Sequence, residues 1–118
     1  MASQYVILAI RVVVSAAFLA AGLAKFAGVE MMVATFETIG WGQWFRYLTA
    51  AIEVGSAILL WVPGRQWIGA FLLVCTMASA ALFHIFVLGP SAGPALILGL
   101  LSAVLLWRHL PGRSAIVD

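Results

Sequence analysis

Apolar positions fall into four long runs along the chain, at about 5–24, 43–62, 67–88 and 92–107, with polar or turn-forming residues between them. Each run is close to the ~20 residues that a helix needs to cross a bilayer. Pro63-Gly64 closes the second run, Gly89-Pro90 closes the third, and Pro111-Gly112 follows the fourth; such pairs favour turns. Pro94 stands in the first turn of the fourth run, where a missing N–H costs no helical hydrogen bond. The connections after the second and third runs are short, so consecutive helices are expected to be antiparallel neighbours. The pattern predicts an all-α, integral membrane four-helix up-down bundle in one domain, 1–118, with a short interfacial segment between the first and second spans.

That segment, 25–44, differs from the other connections. It carries Glu30, Glu37 and three glycines among apolar residues. Residues 29–39 predict a short amphipathic helix with Met32, Phe36 and Ile39 on one side, broken by Gly40-Trp41-Gly42. Trp41 and Trp44 suit a membrane interface, where an apolar ring meets water. The expected role is a cap over one end of the bundle, with an ordinary loop as the alternative.

Composition agrees with the pattern. Hydrophobic residues make up 65% of the 118 residues and charged residues 8%, with a mean hydropathy of +1.17. Soluble domains carry about 25% charged residues, so too little polar material is present to coat a water-facing globule. The net charge is +2, but the basic residues are dispersed, which is not the clustered footprint of a nucleic-acid binder. Cys75 is the single cysteine, so no disulfide forms within the chain. The first run lacks a basic start and is interrupted by Arg11, which is unlike a cleaved signal peptide. Basic residues Arg65, Arg108 and Arg113 fall on the side of the termini, against Lys25 and Arg46 on the other. The positive-inside rule therefore places both termini in the cytoplasm. Rows of small residues, Ala16, Ala20 and Ala24 in the first span and Ala51 and Gly55 in the second, are expected to let helices pack closely.

Ionisable residues inside an apolar span cost roughly 2.5–3.5 kcal/mol each on insertion scales, which makes them candidates for a functional site. Arg11, Ser15, Phe18, Gly22 and Lys25 share one face of the first span. Arg46, Ala50, Glu53 and Ala57 share one face of the second, and Met77 and His84 one face of the third. Measured from the ends of the runs, Arg11 lies ~9 Å and Glu53 ~14 Å from the cytoplasmic side. That offset predicts Arg11 close to Glu53, directly or through water. Lys25, His84, Glu37 and Arg46 would gather at the other end, so that a polar column crosses the bundle. The plainer readings are a buried Arg11–Glu53 pair that fixes helix register, a Lys25 that snorkels, and a solvated Glu37. Cys75 and His84 lie about 180° apart around their helix, His109 is near the opposite surface, and no group has metal-ligand spacing. No phosphate loop, haem-attachment motif or nucleophilic triad is present.

The ordered set of these segments resembles the DoxX and DoxX-like membrane proteins. Gly22-Leu23-Ala24-Lys25-Phe26-Ala27-Gly28 is similar to that family's glycine–lysine motif at the end of the first span, and Arg11 sits where the family has an early arginine. Phe36-Glu37-Thr38-Ile39-Gly40 resembles its first connection. Arg46-Tyr47-Leu48-Thr49-Ala50-Ala51-Ile52-Glu53 resembles its second span, and Met77-Ala78-Ser79-Ala80-Ala81-Leu82-Phe83-His84 its third. The resemblance covers residues 8–88. It implies a four-span bundle, a bacterial cytoplasmic (inner) membrane, and partners in membrane redox or assembly complexes. The family takes its name from a thiosulfate:quinone oxidoreductase, which makes a quinone a candidate ligand.

Three functions are expected to compete. The first is binding of a small molecule or lipid, or an accessory role in a membrane complex, through Arg11, Lys25, Glu53 and His84, with Glu37 and Arg46 nearby. The second is a quinone-linked oxidoreductase subunit, in which His84 and Glu53 carry protons. The third is a small transporter or structural subunit, which in a chain this short requires a homo-oligomer.

Overall fold

The computed structural model describes residues 2–89 and 92–111. Among them are five α-helices and no strand: α1 (Ala2–Ala27), α2 (Glu30–Ile39), α3 (Trp44–Leu59), α4 (Gln66–Phe83) and α5 (Gly93–His109). A π-helical segment, His84–Leu88, continues α4. Gly112, Pro90 and Arg113, to which the sequence assigns two turns and an anchor, lie outside the described residues.

Glycine sets the helix ends. Gly28 takes φ +69° and its N–H returns to the Ala24 carbonyl, which ends α1 in a left-handed residue that a Cβ would disfavour. Gly40 does the same for α2, with φ +84° and an N–H bonded to the Phe36 carbonyl. The segment 29–39 is thus a helix rather than a loop.

α1 and α3 are antiparallel: Gly22 lies against Ala50 and Val54, and Ser15 accepts a hydrogen bond from Trp61. α4 returns along α3, with Gly69 against Ser56 and Leu60 at one end and Phe83 against Phe45 at the other. α5 then packs on α4, where Gly99 meets Met77, and its end reaches Arg11 of α1. Val14, Phe18, Leu60, Ala70, Leu73 and Leu105 form the buried core between these four helices.

Two helical stretches, Gln4–Ala27 and Gln66–Leu88, are long and apolar enough to cross a membrane, and α5 is a shorter apolar helix. Their most apolar windows are only 22% and 17% buried, unlike the core helix of a soluble protein. Leu8, Val12, Val13, Phe71, Leu82 and Leu100 point outward. α3 is shorter than its expected span, because the chain leaves the helix after Leu59 as it approaches Pro63-Gly64.

The small-residue rows do not make the close contacts expected of them. Ala16, Ala20, Ala51 and Gly55 are exposed. The face bearing Ser15, Phe18 and Gly22 is the buried one on α1, and that bearing Arg46, Ala50, Glu53 and Ala57 is the buried one on α3. Periodicity finds stripes, but it does not say which of two stripes faces inward.

Close approach occurs instead at Gly22 and Gly69. A Cβ on Gly69 would stand 2.5 Å from the Ser56 carbonyl oxygen, which is backbone and cannot turn aside. A Cβ on Gly55 would meet nothing within 4 Å. Gly69→Ala is therefore expected to lower stability by about 1–3 kcal/mol through overpacking. Gly55→Ala should instead raise it by roughly 0.5–1 kcal/mol by removing a mid-helix glycine. Thermal unfolding of both variants in one detergent checks the contrast, and an equal loss in both would remove the close α3–α4 contact as its cause.

A candidate ligand site at the Lys25 end

The polar residues separate into two groups at opposite ends of the helices. At one end Arg11 donates to His109 Nε2 at 3.3 Å and lies over the Trp61 ring, 5.2 Å from its centroid. Trp61 Nε1 in turn donates to Ser15 Oγ at 2.8 Å. At the other end Lys25 Nζ pairs with Glu53 Oε1 at 2.8 Å, with side-chain exposures of 12% and 1%.

The expected Arg11–Glu53 pair is thus replaced by two separate interactions, and no continuous column joins them. The reason is register. Aligning the ends of the apolar runs places Gly22 opposite residue 45, whereas it lies opposite Ala50 and Val54, a shift of about two turns. Glu53 is level with Gly22, and Arg11 is eleven residues earlier, about 16 Å along the axis. Each long cation reaches along the helix: Arg11 toward His109, Lys25 toward the carboxylate.

Arg46 is buried and plays a different part from the ligand contact expected of it. Its guanidinium donates to the Lys25 carbonyl oxygen and, through Nε, to Gln43 Oε1 at 2.7 Å. Gln43 Nε2 donates to the Val33 carbonyl oxygen at 3.2 Å. The group thereby ties the C-terminal turn of α1, the middle of α2 and the start of α3 together. It supplies a cation where the helix dipole favours one. Its plane also covers the Tyr47 ring, 4.4 Å from the centroid. Arg46 is a positioning residue: it holds the turn from which Lys25 reaches Glu53.

A cavity of about 520 Å³ opens beside the ion pair. Lys25, Glu53 and His84 all line it, so three of the sequence-derived candidates come together there. Met31, Met32, Thr35, Phe36 and Ile39 of α2 close one side. The amphipathic face read from the sequence is therefore a cavity wall. Phe45 and Phe83 continue that wall, and both pack against Trp41, at 5.0 and 5.4 Å between ring centroids. Glu37 is exposed on the outer face of α2 and does not line the cavity. Cys75, expected on the face opposite His84, nonetheless lines it and is exposed.

Two lining residues carry buried polar atoms without a hydrogen-bond partner, Glu53 Oε2 and His84 Nδ1. The threonines do not serve them: Thr49 bonds back to the Phe45 carbonyl and Thr76 to that of Leu72. Buried polar atoms without partners are few in folded proteins, and each calls for an explanation. Among the described residues no group of three or more His, Cys, Asp or Glu is placed to hold a metal ion.

The model of the DoxX-like family matches residues 9–108. The chain belongs to the DoxX-like family. No curated protein and no solved structure matches it. Family membership, together with two helices long and apolar enough to cross a bilayer, is consistent with a membrane protein. In this DoxX-like chain the glycine–lysine segment has a structural meaning: Gly22 admits α3, and Lys25 reaches its carboxylate.

Residues that the sequence did not single out are Trp61 and His109, which engage Arg11, and Thr49, Phe45 and Ile52, which line the cavity. Phe45, Thr49, Ile52 and Glu53 follow helical spacing on α3, a signal that was present in the sequence. The Ser15–Trp61 and Arg11–His109 contacts span 46 and 98 positions, and no local pattern reveals them.

The ion pair makes a testable asymmetry. Lys25→Met strands the Glu53 carboxylate, and breaking a buried pair on one side costs about 3–5 kcal/mol. Replacing both partners by apolar residues of similar size is often neutral or stabilising. The double variant Lys25→Met/Glu53→Leu should therefore unfold near the wild-type temperature, well above Lys25→Met. Equal losses in the single and double variants would show that the pair is not the coupled unit described here.

Proposed function

We propose that this DoxX-like protein is an integral membrane four-helix up-down bundle that binds a small amphipathic molecule in the cavity beside Lys25, Glu53 and His84. The observation that carries the reading is the pair of unpartnered buried atoms, Glu53 Oε2 and His84 Nδ1, on the wall of an otherwise apolar cavity. The volume falls within the ~300–1,000 Å³ range of small-molecule sites, which combine apolar walls with a few placed polar groups.

The spanning reading rests on the outward apolar faces of α1, α4 and α5. It also rests on a long dimension of 45 Å, comparable to a bilayer with its headgroup layers, about 40–45 Å. α3, which carries Glu53, turns its charged face toward α1 and α4 and leaves Leu48, Ala51, Gly55 and Ile58 outward. The α2 cap then lies at the membrane surface, with Trp41 and Trp44 at the interface. Both termini are assigned to the cytoplasmic face of a bacterial inner membrane.

A quinone-linked role is the second reading. The observation that favours it is His84 on the same cavity as Glu53, since an imidazole both donates and accepts hydrogen bonds and a carboxylate on the same cavity offers a second polar contact for a quinone head.

Native mass spectrometry of protein gently extracted from its own membrane tests both. The expected result is a reproducible adduct, absent from Glu53→Gln and from the stable double variant Lys25→Met/Glu53→Leu. An adduct with the mass of a quinone selects the second reading. A protein adduct indicates an accessory subunit instead. A bare chain, with or without the substitutions, overturns the ligand site and leaves the ion pair as a packing device.

A further inference from the structure

Exposed lining residues mark where this cavity approaches the outside: Cys75 and Ser79 on α4, Met31 on α2 and Pro94 on α5. α3 and α4 approach closely at two levels. At one, Gly69 sits against Ser56 and Leu60; at the other, the Phe45 and Phe83 rings meet at 6.1 Å. Between these levels lie Thr49 and Ile52 of α3 and Cys75, Thr76 and Ser79 of α4, all of them cavity-lining. Apart from Ile52 they are short. Cys75 and Ser79 are exposed, and Thr49 and Ile52 are partly exposed. The surface around this gap is apolar: Leu48, Phe71 and Leu82 are 45%, 49% and 56% exposed. The gap therefore faces the side of the bundle that lipid would cover, not an aqueous end.

The polar end of the cavity narrows the chemistry of an occupant. Lys25 and Glu53 neutralise each other, and among the described residues no other lysine, arginine or carboxylate lines the cavity. A charged head would find no counter-charge, and a charge is costly to carry through hydrocarbon. An ionised Glu53 accepts only, so its second oxygen requires an O–H or N–H donor. His84 Nδ1 donates or accepts according to its tautomer. A hydroxyl suits either partner, because it donates and accepts at once.

We propose that the cavity is filled from the lipid phase, through the gap between α3 and α4, by an uncharged amphiphile with a hydroxyl-bearing head. This rests on the ligand-site reading above and adds to it a route and a chemical class.

The experiment uses the full chain in lipid nanodiscs, with monooleoylglycerol as the probe and methyl oleate as the donor-free control. Native mass spectrometry should show the monooleoylglycerol adduct and at least about tenfold less of methyl oleate, since a hydrogen bond to a charged acceptor is lost. For the route, Ile52→Cys is joined to the native Cys75 across the gap by a short, reducible bis-maleimide. Exchange of bound monooleoylglycerol for its deuterated form should slow by about tenfold or more, as a longer residence time. Reduction of the crosslinker should restore it, which separates a closed gap from a damaged fold. Equal retention of methyl oleate overturns the hydroxyl requirement. Unchanged exchange in the crosslinked protein overturns the route and leaves the site standing. No adduct of either probe, together with a bare chain from the native membrane, overturns the site itself.

Discussion

A carboxylate held at 1% exposure in the middle of an apolar helix is the constraint around which this protein is arranged. Glu53 cannot stay ionised there alone. Its partner arrives from the far end of α1, where the helix is already ending, and the fold must hold that end in place. Gly28 makes the turn, Arg46 holds the Lys25 carbonyl, and Gln43 ties Arg46 back to α2. The reach of the lysine chain along α1 leaves room around its ammonium. α2 and the aromatic cluster enclose that room instead of filling it. The cavity is thus a consequence of how the charge is neutralised.

The other end of the bundle solves a similar problem differently. Arg11 has an aromatic face and a histidine, while its buried Nε has no hydrogen-bond partner. A guanidinium is weakly hydrated and stacks on rings, so it needs no carboxylate there. The two solutions are separated by the packed core of Val14, Phe18, Leu60 and Leu73. A relay of protons or ions along the whole bundle would have to cross that core, where no polar chain is continuous. This separation favours a site that binds over a path that conducts.

Much of this was legible in the sequence, and the missing part has one cause. The spacing of Arg46, Ala50, Glu53 and Ala57 identified the buried face of α3, and that of Met32, Phe36 and Ile39 identified the wall-forming face of α2. Both are properties of a single helix. The pairing of Lys25 with Glu53 depends on how far α1 slides along α3. That distance is set by Gly22 meeting Ala50 and Val54, not by the ends of hydropathic runs. The exposed rows through Ala16 and Ala20, and through Ala51 and Gly55, have the same period as the buried rows, so period alone could not choose between them. The cavity needs the register of α3 against α4 as well as the placement of α2, and no single stretch of sequence contains either.

The change from α-helix to π-helix at His84 bears on the same site. In a π-turn the carbonyl accepts from five residues on, as the Gly89 N–H does from His84 here at 2.9 Å, and the turn is wider than that of an α-helix. Such turns are rare and frequent at functional sites. Here the wide turn begins at the residue whose Nδ1 lacks a partner, and it packs against α2, the helix that closes the cavity. A regular α-helical end would have been the less strained choice for a structural span. A wide turn and two of the four buried unpartnered side-chain atoms found among the described residues thus border one cavity. The proposed polar head would give both atoms a partner, a role that Arg46 and Gln43, already bonded within the fold, do not fill.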